Sequence, residues 1–234
     1  ITGKVTDSSG VSAVTVSLNA GFTNSKNITA SLQSDGNFSL DKATLTQLNG
    51  GTLPDGNYQV YLQAIDNYGN TTTPQTLAFQ LLTQAIAPTN LQLLASSDTG
   101  VSNSDSITKT NQPGIQGKGK AGDTIQLFEG TTLLGQTIVG TNGTWQITTT
   151  TLADGNHNLT AKTIDIAGNV SGNSSSLNLN IDTVIPNLQL AGQLAGIVLN
   201  GSSTLKGQVT DANITTISYQ FDGANPITLP TGTQ

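Results

Sequence analysis

Apolar and polar side chains alternate along several segments of the chain. Tyr58, Val60 and Leu62 occupy every second position of one segment, and Phe38 and Leu40 do so in another. A period of two places one row of side chains in a core and the other in water, as in a half-buried β-strand. Turn-forming strings such as Asp-Gly and Asn-Gly separate these segments by roughly 8–12 residues, and no segment keeps a helical period. The pattern predicts an all-β chain built from sandwiches of about seven short strands each.

The sequence also repeats itself, which sets the size of each sandwich. The corresponding segments are 53–58 with 152–157, 64–70 with 163–169, 88–93 with 186–190, and 1–7 with 205–211. The first two pairs share an offset of 99 residues. This interval predicts three units: 1–84 lacks its first strand, 85–183 is complete, and 184–234 is the front half of a third. We expect the chain to be a slice of a longer rod.

One string in the repeat has a known structural role. A Leu-x-Asp-Gly-x-Tyr string ends at Tyr58, just before a predicted strand. This arrangement is typical of a tyrosine corner, whose hydroxyl group is hydrogen-bonded to the preceding turn. His157, the only histidine, holds the equivalent position in the second unit, so we assign it to a structural corner. Trp145, the only tryptophan, aligns with Phe38 on the preceding strand, so we expect it in the core.

The composition excludes several classes of function. Only 9% of the 234 residues are charged, all eight cations are lysine, and 13 of the 14 acids are aspartate, giving a net charge of −6. A nucleic-acid-binding protein needs a basic face, which this chain cannot supply. The absence of cysteine excludes disulfides and thiolate zinc sites, and no apolar run reaches the ~18 residues of a membrane helix. With one histidine and no glycine-rich loop that opens a helix, we predict that the chain is not an enzyme.

The second unit resembles a known family. The strings that carry the resemblance are SDTG at 97–100, NSDSIT at 103–108, AGDT at 121–124, DIAGNVS at 165–171 and IDTVIP at 181–186. They resemble the bacterial immunoglobulin-like (Ig-like) repeats of giant secreted adhesins and biofilm proteins. The resemblance covers the second unit closely and the other two more loosely. It implies tandem Ig-like β-sandwiches arranged end to end, in an extracellular or cell-surface stalk that holds a terminal binding domain away from the cell. Some members bind calcium at domain junctions through aspartate.

Calcium binding by turn aspartates is the one site chemistry that the sequence supports. Calcium takes about six to eight oxygen ligands, and no contiguous calcium-binding loop is present, so the ligands must meet in space. In an Ig-like sandwich the loops after strands B and F lie at the front end, and the loop after strand A and the exit of the last strand lie at the rear. The candidate ligands are Asp98, Asp105, Asp182 and Asp211 at the second junction, Asp123 and Asp165 at the first, and Asp7 and Asp66 at the front of unit one. The resemblance adds Asn169 and implies Asp165 and Asp182 as well.

Each candidate ligand also has a simpler explanation. Asp-x-x-Gly-Asn and Asp-Gly are ordinary turn-forming strings whether or not a metal binds. The first linker carries Gln84 where the second carries Asp182, so fewer carboxylates are available at the first junction. If calcium binds, we expect the affinity of extracellular modules, about 10⁻⁴–10⁻³ M.

The linkers favour a mechanical role. Segments 82–88 and 181–186 are short, contain proline and lack glycine, which favours a semi-rigid connection over a flexible tether. We therefore predict a non-catalytic spacer of an extracellular adhesin whose partners are neighbouring repeats of the same chain. Two alternatives stay open. A self-assembling surface filament or surface-layer subunit would associate through an open sheet edge. A glycan-binding module would need exposed aromatic residues, and sugars would then quench Trp145.

Overall fold

The computed structural model describes residues 1–100, 102–191, 206–211, 214, 216–220 and 223–229. The chain divides into two compact units, one spanning Ile1–Thr83 and the other beginning at Gln84. Regular structure is almost entirely β, which confirms the predicted fold class. Part of the predicted third sandwich, 184–234, lies outside the described residues. Within the described ranges, no helix has the length and apolar character needed to cross a membrane.

Two sheets make up the first unit. Its strands are β1 Thr2–Lys4, β2 Val11–Ser17, β3 Ser25–Asn27, β4 Asn37–Ser39, β5 Gly56–Asp66 and β6 Gln75–Leu81. β1 pairs with β4, and the other sheet has the antiparallel order β3-β2-β5-β6. Alternating residues of these strands, among them Val14, Val16, Phe38 and Val60, are buried in one core. The period-two pattern in the sequence is therefore the inward-facing row of each strand.

The first unit also contains a short helix, which the sequence patterns did not indicate. The helix α1 spans Lys42–Leu48, between β4 and β5, and a single 3₁₀ turn spans Thr29–Ser31. Asp41 caps α1, because its carboxylate accepts a hydrogen bond of 2.7 Å from the backbone N–H of Thr44. Leu45 and Leu48 pack into the core of the unit.

The second unit contains the complete sandwich. Its strands are β7 Thr89–Leu93, β8 Ile107–Thr108, β9 Gly114–Lys118, β10 Thr124–Glu129, β11 Thr132–Ile138, β12 Thr144–Thr148, β13 Gly155–Ile164 and β14 Leu177–Ile181. One sheet has the order β11-β10-β13-β14-β8 and the other has the order β12-β9-β7. The first strand segment changes sheets, since β7 pairs with β9 whereas β8 runs parallel to β14. The connection between β7 and β8 therefore leads from one sheet to the other.

Further strands follow the sandwich. β15 Asn187–Leu190 pairs antiparallel with β16 Gly207–Thr210, and β17 Ile217–Tyr219 pairs antiparallel with β18 Ile227–Leu229. The β16 strand carries the segment that repeats the start of the chain, with Gly207 at the position of Gly3. The predicted strand around 217–219 is thus present in the described part of the third sandwich.

Trp145 lies in the core of the second unit, as predicted. Its side chain is only 3% exposed and packs among residues such as Ile115, Ile125 and Leu159. On the neighbouring strand it stands opposite Gly117. A ring buried in this way cannot stack on a sugar in solution, so this tryptophan does not support the glycan-binding alternative. It serves instead as a fluorescence reporter for folding of the second unit alone.

Candidate metal site

Two carboxylates lie at one end of the second unit, on adjacent strands. Thr124 pairs with Ile164 at the ends of β10 and β13, so the same register, continued by one residue, sets Asp123 opposite Asp165. Asp123 and Asp165 also continue the inward-facing rows of their strands, and they are 3% and 7% exposed. The fold therefore brings these two predicted ligands together and points both away from bulk water.

Asp165 is held in a tight turn by its own loop. One carboxylate oxygen accepts hydrogen bonds of 2.9 Å from the backbone N–H groups of Ala167 and Asn169, and the other accepts a bond of 2.8 Å from the Asn169 side-chain amide. The Asn169 side chain, the backbone bonds and the charge of Lys120 together keep the pKa of Asp165 below its usual range. Asp165 is consequently ionised at neutral pH.

Asp123 has no such support. Its Oδ1 atom is buried and has no hydrogen-bond partner among the described residues. The same holds for the Oγ1 atom of Thr163, which is 1% exposed and lies two residues before Asp165 on the same face. Buried polar groups are nearly always paired, and an unpaired one costs free energy. The two oxygens thus mark a place where a further partner would stabilise the fold.

The chemistry of this end of the domain fits a hard cation. Its donors are carboxylate, hydroxyl and amide oxygens, which suit Ca²⁺ and not a thiolate- or imidazole-bound metal. Across the described ranges, however, no three or more histidine or acidic side chains come together as a ready-made metal cluster. A cation here would therefore have two carboxylates, with neutral oxygens completing the shell. Lys120 already offsets part of the negative charge at Asp165.

The front of the first unit repeats this turn in a more open form. Asp66 accepts hydrogen bonds of 2.8 Å from the backbone N–H groups of Tyr68 and Asn70, and one of 2.7 Å from the Asn70 side-chain amide. Its pKa is lowered, with the Asn70 side chain as the leading cause. A cavity of about 150 Å³ is lined by both predicted ligands, Asp7 and Asp66. Asp7 is exposed and bonds to Ser9. The fold places the pair together, but without the burial seen in the second unit.

Three of the four aspartates predicted for the second junction accept hydrogen bonds from backbone N–H groups of their own loops. The backbone N–H of Ser106 donates to Asp98 at 3.3 Å, that of Ile107 to Asp105 at 3.0 Å, and that of Val184 to Asp182 at 3.1 Å. Asp98 is buried, and its Oδ1 atom has no hydrogen-bond partner in the described ranges. The N–H of Asp182 donates to Thr108 at 2.9 Å, which ties the exit of β14 to β8. Asp211 follows β16 and is half-buried. Convergence of all four carboxylates on one ion stays a prediction.

Both corner residues have the predicted role. The Tyr58 hydroxyl donates to the Pro54 carbonyl at 2.7 Å. In the second unit the His157 Nε2 atom lies 2.8 Å from the Ala153 carbonyl, and its Nδ1 atom lies 2.8 Å from a carboxylate oxygen of Glu129. The only histidine therefore pairs with the only glutamate, across β13 and β10. The corner position of His157 could be predicted from the sequence. Its partner could not, because Glu129 lies 28 residues earlier in the chain.

Loss of the corner hydroxyl is expected to weaken the first unit. Replacing Tyr58 by phenylalanine removes the hydrogen bond that ties the corner to the exposed Pro54 carbonyl, which should lower the free energy of unfolding by about 1 kcal/mol. Tyr61→Phe is the matched control, since its hydroxyl bonds only to the exposed side chain of Gln59, and a change within about 0.5 kcal/mol is expected. Urea unfolding followed by circular dichroism measures both. Equal effects of the two substitutions would contradict a structural role for the corner.

Acid should destabilise the fold through the Asp-x-x-Gly-Asn turns. Folding lowers the pKa values of Asp66 and Asp165, so their contribution is present above the unfolded pKa of about 3.9 and is lost as the pH falls through the lower folded values. The urea midpoint of the second unit, followed by Trp145 fluorescence, should therefore drop between about pH 5 and pH 2 as the contribution of Asp165 is lost. In Asp165→Asn the drop should be smaller. An identical drop in the variant would show that other groups govern the acid response.

Comparison with known proteins identifies the second sandwich. Residues 84–183 match the family model described as a bacterial Ig-like domain. The bounds of the matched segment, which covers less than half of the chain, coincide with the sandwich of β7 to β14. No curated protein matches the chain.

Several solved structures are similar to the chain over most of its length. A biofilm associated protein, in its BSP domain, is 17% identical with a TM-score of 0.31, covering 79% of this chain and 28% of that one. A tetra-tandem repeat in the extending region of a large adhesion protein is 21% identical with a TM-score of 0.37, covering 97% and 57%. Fibronectin(III)-like modules of Clostridium thermocellum CbhA are 13% identical with a TM-score of 0.35, covering 76% and 81%. The chain thus spans less than two thirds of the first two structures.

Proposed function

We propose that the chain is a non-catalytic structural segment of an extracellular bacterial adhesin, where it serves as a spacer. The observation that carries the proposal is the complete bacterial Ig-like domain at 84–183, in a chain whose first unit repeats the same strands and the same corner. The large adhesion protein and the biofilm associated protein named above are described as proteins of this kind. A cell-surface location and the absence of enzymatic activity are parts of the same proposal.

The polar chemistry of the chain supports a structural role. The only imidazole is hydrogen-bonded on both ring nitrogens at a corner, so it is not positioned as a free general base. Most of the aspartate side chains that accept hydrogen bonds do so from backbone or side-chain groups of their own turns, as turn formers do. The spacer proposal requires only that each unit folds by itself and tolerates solvent, and both units have a core of their own.

Solution scattering tests the spacer proposal. A spacer is monomeric, so light scattering and small-angle X-ray scattering of the 234-residue chain should give the mass of one chain across a hundredfold range of concentration. A mass that rises with concentration would favour the self-assembling filament or surface-layer subunit instead. Addition of sugars should leave Trp145 fluorescence unchanged, and quenching by sugars would favour a glycan-binding module.

We further propose that calcium binds at the ends of the domains and stiffens the connections between them. The unpaired oxygen of Asp123 opposite Asp165, with Asn169 in the same turn, supports a site at the front of the second unit. Asp98, Asp105, Asp182 and Asp211 would supply a second site if their loops converge around an ion, and Asp7 with Asp66 would supply a weaker one. Bound calcium would compensate the buried charge of Asp123 and hold the loop before β10 against the loop after β13.

Calcium binding is tested by thermal unfolding in calcium and in chelator. With a dissociation constant of about 10⁻⁴–10⁻³ M, 10 mM calcium should stabilise the second unit by roughly 1.4–2.7 kcal/mol. Asp123→Asn should abolish this gain, whereas Asp35→Asn, an equal change of charge in an exposed turn of the first unit, should retain it. Calorimetric titration of Asp182→Asn with Asp211→Asn tests the second junction. Unchanged stability in calcium, or an equal gain in Asp123→Asn, would contradict a site at Asp123.

A further inference from the structure

Each unit ties a threonine, two residues after its last strand, to its own corner turn. In the second unit, Thr183 donates to Asp154 from its backbone N–H at 3.0 Å and from its hydroxyl at 2.8 Å. In the first unit, Thr83 donates to Asp55 from the same two groups, at 3.0 Å and 2.8 Å. One carboxylate therefore binds two donors of one threonine, in both units.

The strand register explains why these residues meet. Gly155 pairs with Ile181 in the second unit, and Gly56 pairs with Leu81 in the first. The last strand of each unit consequently leaves its sheet beside the Asp-Gly turn that opens the preceding strand. The aspartate of that turn lies one residue before the paired glycine, and the threonine lies two residues after the paired leucine or isoleucine. The same contact recurs because the same register recurs.

We infer that Asp55 and Asp154 are latches that fix the direction in which the chain leaves each unit. Without the latch, an exposed segment would become free to turn as soon as the last strand ended. With the latch in place, the backbone can change direction only after the threonine, and the following proline soon restricts the backbone again. Four residues separate Thr83 from Pro88, and two separate Thr183 from Pro186. The consequence for stiffness rests on the proposed spacer function, but the latch itself does not.

Threonine suits this role because it presents two donors to one carboxylate. The backbone N–H and the hydroxyl point the same way in the latched conformation, and the charged acceptor strengthens both bonds. In the second unit the neighbouring residue is held as well, since the N–H of Asp182 donates to Thr108. The aspartate of an Asp-Gly turn thus has a role beyond the turn, which explains its presence at the same position of both units.

Amide hydrogen exchange tests the latch in the full chain. Asp154→Ala should speed exchange of the Thr183 N–H roughly tenfold, while the Thr83 N–H keeps its rate. Asp55→Ala should do the reverse, so each variant is the control for the other. Thr183→Val, which keeps the shape and the N–H but loses the hydroxyl, should give a smaller increase in the rate at position 183.

Two results would overturn the inference. The rate at Thr183 could stay unchanged in Asp154→Ala, in which case the contact does not hold the linker. Alternatively, exchange could accelerate to the same extent at all amides of β13 and β14, in which case Asp154 stabilises the whole domain and not the linker. Neither result would affect the scattering test of the spacer, so failure of the latch and failure of the proposed function are distinguishable.

Discussion

Replacing Gly117 by alanine is expected to lower the free energy of unfolding of the second unit by about 2–3 kcal/mol. A Cβ atom at this position would lie 2.5 Å from the Cζ2 atom and 2.8 Å from the Cε2 atom of Trp145, and 3.0 Å from the backbone oxygen of Thr89. The indole ring is buried and cannot swing into solvent. Either the ring leaves its position or β9 moves away from β12, and both disturb a packed core.

The same contact exists in the first unit, which makes the prediction general. Gly3 pairs with Phe38 just as Gly117 pairs with Trp145, and a Cβ atom on Gly3 would collide with the Phe38 ring. Glycine at this strand position therefore leaves space for the aromatic ring on the paired strand of the same sheet. Gly3→Ala should destabilise the first unit while leaving the second unchanged.

Gly172→Ala is the matched control for Gly117→Ala. A Cβ atom at Gly172 would meet nothing within 4 Å, so the change should stay within about 0.5 kcal/mol. Urea unfolding followed by Trp145 fluorescence reports on the second unit for both variants. Similar midpoints for Gly117→Ala and the wild type would mean that the indole ring does not pack on β9.

The second large effect is expected at Leu159. Its side chain is fully buried at the centre of the core of the second unit. Leu159→Ala removes one methine carbon and two methyl carbons and leaves a cavity between two rigid sheets, which should cost about 3 kcal/mol. A loss of this size is a large fraction of the stability of a domain, so partial unfolding at 37 °C is expected.

Thr160→Ala is the control for Leu159→Ala. Thr160 is the next residue on β13, faces the opposite side of the sheet and is half-exposed, so its truncation should have little effect. Calorimetry of the whole chain should show the transition of the second unit shifted in Leu159→Ala and that of the first unit unshifted. A shift of both transitions by the same amount would show that the two units unfold together.

Period-two alternation predicted the strands well, because each sheet has one buried face and a shifted register would expose that face. The offset of 99 residues between the two units predicted the corner, since Tyr58 and His157 occupy the same position of the repeat. These features depend on local pattern and can be derived from one sequence.

The helix α1 could not be found in this way. It contains only two buried residues, Leu45 and Leu48, which is too few to establish a helical period. The repeat does contain a signal for an additional element. Segment 38–53 of the first unit is eight residues longer than its counterpart 145–152 in the second. An insertion of that length between two strands indicates additional structure, and here it contains the helix.

The candidate site was predicted in part. The position of the site's aspartates in turns was predicted from the sequence. The inward direction of Asp123 could also have been predicted, because Asp123, Ile125 and Leu127 form one continuous row of alternating positions. Its missing hydrogen bond could not, since that depends on how the loop before β10 and the loop after β13 pack. The latch partners Asp154 and Thr183 are 29 residues apart and meet only through the register of β13 and β14.

Single-molecule stretching of the 234-residue chain tests most directly whether it is built to carry load. We expect the Ig-like sandwich at 84–183 to stay folded as the force increases and then to unfold in one step. That step should release roughly 300 Å of chain, given about 3.3–3.6 Å for each extended residue less the folded length. A gradual extension without discrete steps would contradict the proposal that the chain is a structural spacer.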